Sequence, residues 1–352
     1  MSFNDSFDST GNVIFIGAGA SYGARISQKM LPPLGHGLLS WLREFVPVLQ
    51  KETCLIDFRS ELEEGRKIIN RNLQDENFEV LMSGLTREDR LKLNRLLLIA
   101  FSDIGSRTYI RSCSNLDLGF RNQADGYDKL ITKLNFKNEK WSVVSLNYDL
   151  LFEQALIRND IGFFYPHFRF RFKEDQTQLS GIKIYKPHGS INFFAHSDHK
   201  IYHHEPLPTD DRGLPTTYFH DQAGNMNPTL PIVMACPNGV ENILSIANSA
   251  SISDPVIANY SKGKTSDLNQ ETLEMVRRES LQILTAAKNV VMVGVRPIRD
   301  EGDDYFVAKA LESIRGKLKY VAGNIDDCRV IEQMYCNAEL FSKGLNDFLE
   351  RI

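Results

Sequence analysis

The sequence lacks paired cysteines, and this absence excludes two kinds of site. Its five cysteines are odd in number and scattered, and no C-x-x-C pair occurs that could form a zinc ribbon or a redox couple. A free cysteine packs as a small hydrophobic residue, so we expect most of them to be buried thiols. They are Cys54, Cys113, Cys236, Cys328 and Cys336.

An excess of basic charge and a long hydrophobic run are also missing. Lys and Arg number 41 against 45 Asp and Glu, for a formal net charge of -4, so no positive field is available to hold a phosphate backbone. No apolar stretch reaches the length that crosses a bilayer, and the polar start MSFNDSFDSTGN has no basic region of a signal peptide. We therefore expect a cytoplasmic protein that binds neither nucleic acid directly nor membrane.

What is present indicates an α/β fold. With 352 residues, 42% of them hydrophobic, the chain can bury a large core. NVIFI at 12–16 has no polar alternation, which is typical of a strand buried on both faces. Helical patterns at 149–156, 269–287 and 304–314 separate similar runs, which favours a doubly wound, Rossmann-like parallel sheet. The further predicted strands are 141–147, 183–189, 231–236, 289–295 and 318–323.

Two intervals differ from this core. Residues 38–134 carry apolar residues at helical spacing and predict a helical insertion. Residues 194–263 are rich in His, Pro, Asp, Asn and Ser and predict a loop-rich, irregular lobe. The predicted core then comprises 12–37, 135–193, 231–236 and 280–352. The lobe contains His196, His199, His203 and His204, whose spacing favours a solvated loop over a metal site.

The stretch VIFIGAGASYG at 13–23 predicts an anion-binding turn. A glycine turn between a strand and a helix brings backbone N–H groups, and the positive end of the helix, close to a ligand. Gly17, Ala18 and Gly19 form the turn, and Ser21 could cap the helix or donate to a phosphate oxygen. A plain tight turn is the alternative. The spacing differs from G-x-G-x-x-G, and no acidic strand end follows, so a dehydrogenase is disfavoured.

Two polar residues follow predicted strands. Asn147 ends one of them and His188 stands in a Pro-His-Gly turn after another, so both fall at carboxyl ends, where open α/β sheets bind ligands. Asn147 could instead cap the following helix, and a lone histidine is often structural. A neutral imidazole can take a proton from water near pH 7.

These blocks together resemble a known family. GAGAS, SLNYDLLFE (145–153), KPHGSINFF (186–194) and VGVRPIRDEGDDYF (293–306) occur in the order seen in sirtuin-like, silent-information-regulator NAD-binding proteins, and 1–352 is interpreted as one such domain. More narrowly, the chain resembles bacterial anti-phage NAD hydrolases. The resemblance implies that Asn147 places the attacking water, that Asp149 lies near the nicotinamide carboxamide and that His188 is the catalytic base.

The resemblance also assigns residues to the rest of NAD. Gly294 heads the late block, which runs to Asp300, and Asn324 falls where the family often holds the adenosine ribose. Arg296 departs from the small polar residue usual at its position.

The implied activity is that of a NAD glycohydrolase, with NAD as substrate and no metal required. Family deacylases carry a zinc ribbon of C-x-x-C pairs, which is absent, and an Arg-bearing loop that GARISQKMLPP matches poorly, although Arg25 remains a possible substitute. Protein deacylation or ADP-ribosyl transfer is the alternative reaction. A sensor that binds NAD or ADP-ribose without turnover is a further alternative.

The resemblance implies partners as well. A free NAD hydrolase is toxic to its own cell, so its activity is expected to be held back until a trigger arrives. Similar proteins often assemble as rings or filaments with a DNA-translocating HerA-type ATPase or an argonaute-like protein. We therefore expect a homo-oligomer, formed through the helical insertion, that acts in anti-phage defence.

Overall fold

A computed structural model describes most of the chain. The described residues are 11–24, 37–50, 58–72, 78–113, 126–166, 181–196, 232–233, 252–258, 270–298 and 304–352. Arg25, Asp300, His199, His203 and His204 therefore lie outside them, as do Cys54 and Cys236.

Ten strands form two sheets in the described part of the chain. They are β1 Asn12–Ile16, β2 Trp141–Ser145, β3 Phe163–Phe164, β4 Ile182–Tyr185, β5 Gly189–His196, β6 Ile232–Val233, β7 Ile252–Ile257, β8 Asn289–Val293, β9 Lys317–Val321 and β10 Glu339–Phe341. Seven of them make one sheet in the order β10-β9-β8-β1-β2-β4-β3, and every pairing in it is parallel. The predicted Rossmann-like parallel sheet is confirmed.

The central strand of this sheet is β1. Its residues Val13–Ile16 are fully buried between the flanking strands β2 and β8, so each side chain contributes on the order of 1.5–3 kcal/mol through burial. From β1 the chain adds strands first on the β2 side and later on the β8 side. Strand order thus reverses beside β1, and the crevice at such a point is where open α/β sheets bind ligands.

The smaller sheet has the order β6-β5-β7 and is antiparallel. Of the strand predicted at 231–236 the structure describes Ile232–Val233 as β6, and these residues pair with β5 here instead of with the parallel sheet that we expected for them. Strands also replace the predicted loops at 194–196 and 252–257. The reason is that β5 continues past His188 and needs partners for its backbone groups. The remainder of 194–263 lies outside the described residues.

Eleven helices accompany the strands in the described ranges. They are α1 Ala18–Gly23, α2 Leu38–Leu49, α3 Arg59–Arg71, α4 Phe78–Gly84, α5 Arg87–Cys113, α6 Gly126–Lys133, α7 Leu151–Arg158, α8 Gln270–Ala286, α9 Tyr305–Ser313, α10 Ile325–Met334 and α11 Leu345–Arg351. The helices predicted at 149–156, 269–287 and 304–314 correspond to α7, α8 and α9.

Between residues 38 and 134 every regular element that the structure describes is a helix. Apolar side chains at helical spacing cause this, since α2 buries Leu38, Leu39, Leu42, Val46 and Leu49 on one face. Helix α5 contacts α2, α3 and α7 and also reaches the small sheet at β5 and β7. The treatment of these helices as an insertion into the core remains our proposal.

Candidate functional site

The first feature of the site is a crossing of two backbones at the carboxyl ends of β1 and β8. Gly17 N donates to Val293 O at 2.9 Å, and Gly19 N donates to Gly294 O at 3.0 Å. The two strand-to-loop turns are therefore held directly against one another at the point where the strand order reverses.

This contact explains the glycines. A Cβ at Gly17 would lie 2.5 Å from Gly294 O, and one at Gly19 would lie 2.9 Å from the Cα of Gly294. Gly294 has φ +64° and leaves only 2.0 Å between an added Cβ and Ala20 N. The turn thus requires glycine for backbone packing, and the Gly19 amide is already engaged in it. Anion binding at Gly17, Ala18 and Gly19 remains a prediction.

Ser21 is the centre of a buried hydrogen-bond network. Its hydroxyl lies 2.8 Å from Tyr127 OH, 3.0 Å from Asp149 Oδ2 and 2.8 Å from Asn147 Nδ2, which donates to it. A hydroxyl has one donor and two acceptor sites, so these contacts fill its capacity. The alternative that Ser21 caps α1 is wrong, because Gly17 is the N-cap and no side chain caps that helix.

Asp149 joins the network to the start of α7. Its Oδ1 accepts from Leu151 N at 3.1 Å, so Asp149 rather than Asn147 satisfies the helix terminus. The interpretation of Asn147 as a helix cap is therefore wrong. Burial raises the pKa of the Asp149 carboxyl, while nearby Lys186 and the Leu151 amide oppose that shift.

Asn147 offers an acceptor to a ligand. It is 6% exposed, its Nδ2 is bonded to Ser21, and its Oδ1 is buried with no hydrogen-bond partner among the described residues. A buried carbonyl oxygen without a donor costs free energy, so such an atom indicates a place for a bound N–H or O–H group.

A buried ion pair supports the loop that carries Asn147 and Asp149. Lys186 is fully buried, and its Nζ donates to Asp149 O at 2.7 Å and to Glu153 Oε1 at 2.9 Å. Tyr165 OH donates to the same carboxylate oxygen at 3.1 Å. The sequence analysis missed Lys186, although a lysine directly after an apolar strand was the signal that could have found it.

Two other elements bind the backbone carbonyls of His188 and the preceding Pro187. Ala258 N, just after β7, donates to His188 O at 2.8 Å, and Arg277 Nε on α8 donates to Pro187 O at 3.0 Å. A backbone hydrogen bond ties the two segments together: Ile191 N in β5, three residues after His188, donates to Tyr148 O, directly after Asn147, at 3.2 Å. The predicted pair thus lies on adjoining loops of one edge.

The imidazole has a carboxylate beside it that the sequence analysis missed. His188 Nε2 lies 3.3 Å from Asp304 Oδ2, and the two side chains are 4% and 2% exposed. Asp304 is the N-cap of α9 and accepts from Val307 N through Oδ1 at 3.2 Å. Phe306 packs edge-on against the imidazole, with ring centroids 6.1 Å apart. From the sequence, Asp304 is recognisable only as the start of the helix predicted at 304–314.

Tyr127 is a third residue that the sequence did not reveal. It lies at the start of α6, where Asp128 receives Arg158 Nε at 3.1 Å and Nη2 at 2.8 Å, fixing α6 against α7. No local sequence pattern identifies Tyr127, because its partner Ser21 lies 106 positions away in the chain.

Asn324, a predicted site residue, and Arg296 lie at the same edge without joining the network. Asn324 caps α10, accepting from Asp327 N at 2.8 Å while its Nδ2 donates to Asp327 Oδ2 at 2.8 Å. Arg296 follows Gly294 and is exposed. Within the described ranges no group of three or more His, Cys, Asp or Glu side chains is placed to hold a metal ion. Over the same ranges no helix is long and apolar enough to span a membrane.

A comparison with protein families finds a match that covers the candidate site residues 147, 149 and 188. Residues 142–210 match the family model described as a SIR2-like domain. That segment, about a fifth of the chain, contains Asn147, Asp149 and His188. The resemblance to sirtuin-like proteins is therefore confirmed for the blocks in this segment.

Comparison with solved structures gives weaker similarities. "Structure of Sir2Tm bound to a propionylated peptide" is 13% identical, with a TM-score of 0.35, and the match covers 97% of this chain and 91% of that one. "Structural Basis for the Mechanism and Regulation of Sir2 Enzymes" is 11% identical at a TM-score of 0.37, covering 97% and 90%. Scores this low carry no conclusion about function. No curated protein sequence matches the chain.

Proposed function

We propose that the protein is a NAD glycohydrolase that cleaves NAD to nicotinamide and ADP-ribose. The observation that carries the proposal is the buried Oδ1 of Asn147, which has no hydrogen-bond partner among the described residues; the neighbouring Tyr148 O accepts from Ile191 N, three residues after His188. The SIR2-like match over these same residues supports the choice of NAD as substrate.

The residues fit the chemistry of this cleavage. The reaction breaks the bond between the nicotinamide nitrogen and ribose C1′, the electron pair leaves with the nicotinamide nitrogen, and a water oxygen bonds to C1′. Asn147 Oδ1 accepts a hydrogen bond from that water and orients it. His188 takes the proton that the water releases, directly or through a ribose hydroxyl. Arg296, exposed at the same edge, is a cation suited to the diphosphate.

The test mixes purified protein with NAD and follows free nicotinamide and ADP-ribose by chromatography. His188→Gln is expected to lower turnover by about 10²–10⁴-fold while leaving most NAD affinity, measured by calorimetry. The control is Glu312→Gln, an exposed carboxylate on α9, which is expected to retain wild-type turnover. Equal turnover in wild type and His188→Gln would remove His188 from the mechanism.

The same assay separates the alternatives. Turnover that occurs only with an acyl-lysine peptide or a protein acceptor present would replace hydrolysis by deacylation or ADP-ribosyl transfer. NAD binding by calorimetry without any product, with or without the expected partners, would make the protein a sensor.

The proposed setting is anti-phage defence in the cytoplasm, as the resemblance implies. The protein would act as a homo-oligomer that remains inactive until a HerA-type ATPase or an argonaute-like partner responds to infection. Co-expression with each partner encoded nearby, followed by mass photometry and the nicotinamide assay, tests both the assembly and its control.

A further inference from the structure

We propose that Asp304 is a positioning residue that acts through His188: its carboxylate, at ion-pair distance from the imidazole, stabilises the imidazolium formed when His188 takes a proton. This inference deepens the proposed function and rests on it for the catalytic consequence. The contact itself, His188 Nε2 to Asp304 Oδ2 at 3.3 Å, exists whatever the substrate is.

The contact is more than a surface ion pair. Both side chains are almost fully buried, so water screens their interaction weakly. A general base becomes positively charged when it accepts a proton, and a buried carboxylate at this distance stabilises that charge. In Ser-His-Asp triads an aspartate has a comparable role, because it orients the histidine and stabilises its protonated form.

Asp304 is itself held in place. Its Oδ1 is fixed by the Val307 amide in the first turn of α9, which leaves Oδ2 directed to His188. Phe306, two residues further, packs on the imidazole and on Phe15 of β1. The start of α9 therefore supplies both the charge and the apolar wall beside His188.

Other charged groups near His188 are already engaged. Lys186 is paired with Glu153 and Arg277 with Glu274. The Asp149 carboxyl is bonded to Ser21 and Leu151. Asp304, in contrast, has its carboxylate at ion-pair distance from the His188 imidazole.

Asp304→Asn is the informative variant, because asparagine caps helices as well as aspartate does and so removes the charge while keeping the start of α9. We expect kcat to fall by about 10–100-fold with KM within about twofold, since the loss concerns the charge formed during reaction. Asp304→Glu is expected to recover part of the rate. A merely structural role predicts no recovery and a lower melting temperature instead.

The pH profile gives a second readout. Removing the carboxylate destabilises protonated His188, so the acidic limb of the kcat/KM profile is expected to move to lower pH by about one unit. Glu312→Gln on the same helix is the control and should leave the limb in place. An unchanged limb and kcat in Asp304→Asn would overturn the proposal.

A direct titration separates this proposal from the NAD hydrolase proposal. The His188 imidazole signal, assigned by its loss in His188→Gln, is followed by NMR against pH in wild type and Asp304→Asn. A lower titration midpoint in the variant supports the contact even if the protein proves inactive on NAD. Coincident midpoints contradict it even if NAD is hydrolysed.

Discussion

The two halves of the candidate site are built on different physical principles. On the β1–β8 side, Gly17, Gly19 and Gly294 bring backbone against backbone, and no side chain takes part in the crossing. In the other half, between α1 and the loop after β2, buried polar side chains such as Ser21 and Asn147 bond to one another over long sequence separations. The glycine half depends on the lack of Cβ atoms at these three glycines. The polar half depends on hydrogen bonds and charge pairs between buried side chains.

The largest expected effect is on the glycine half. Gly294→Ala places a Cβ 2.0 Å from Ala20 N at a residue with φ +64°, so we expect it to lower the free energy of unfolding by about 4 kcal/mol or more. Urea denaturation measures the change. Gly323→Ala is the matched control, because no atom lies within 4 Å of an added Cβ there. Similar losses in both variants would show that steric closeness does not distinguish Gly294.

A smaller loss of unfolding free energy is expected from breaking the buried Lys186–Glu153 ion pair, which supports the polar half. Lys186→Met leaves the buried Glu153 carboxylate without its cation, which should cost about 3 kcal/mol of unfolding free energy. Adding Glu153→Gln removes the uncompensated charge and keeps an acceptor for Tyr165, so the double variant should recover more than half of the loss. Additive losses in the double variant, measured by urea denaturation, would mean that the ion pair is not the cause.

The smallest effect has the opposite sign. Burial raises the pKa of the Asp149 carboxyl, so between about pH 4 and the raised value the folded state binds more protons than the unfolded chain, and stability falls as pH rises. Asp149→Asn should therefore stabilise the protein at pH 7 and do so less at pH 4, while reducing turnover.

Thermal unfolding at both pH values measures this difference. Asp326→Asn, a change at a surface carboxylate, serves as the control and should show no such dependence. An equal stabilisation by Asp149→Asn at pH 4 and pH 7 would contradict the assigned cause.

The two halves also differed in how far the sequence predicted them. The glycine turn and the positions of Asn147 and His188 at strand ends follow from local patterns, because a buried apolar run ending in glycine or a polar residue needs no distant information. The partners Tyr127 and Asp304 were missed, because contacts across 106 and 116 positions depend on how the elements pack.

The small sheet was missed for a related reason. Strand β7 contains Asp254 and Pro255, which disfavour a strand in any local reading. Its pairing with β5 decides the outcome, since β5 gains hydrogen-bond partners on both sides. Strand β10 has three residues, too few for a recognisable pattern.

The hydroxyl of Tyr127 reaches Ser21 from helix α6, which belongs to the interval that we interpret as an insertion. Deleting 38–134 to obtain a minimal core would therefore remove a member of the buried network along with the helices. A shift of α6 would reach Asn147 both through the shared Ser21 hydroxyl and through the direct contact of Asn147 Nδ2 with Tyr127 OH at 3.5 Å, so a shortened protein for crystallography should retain at least residues 126–133.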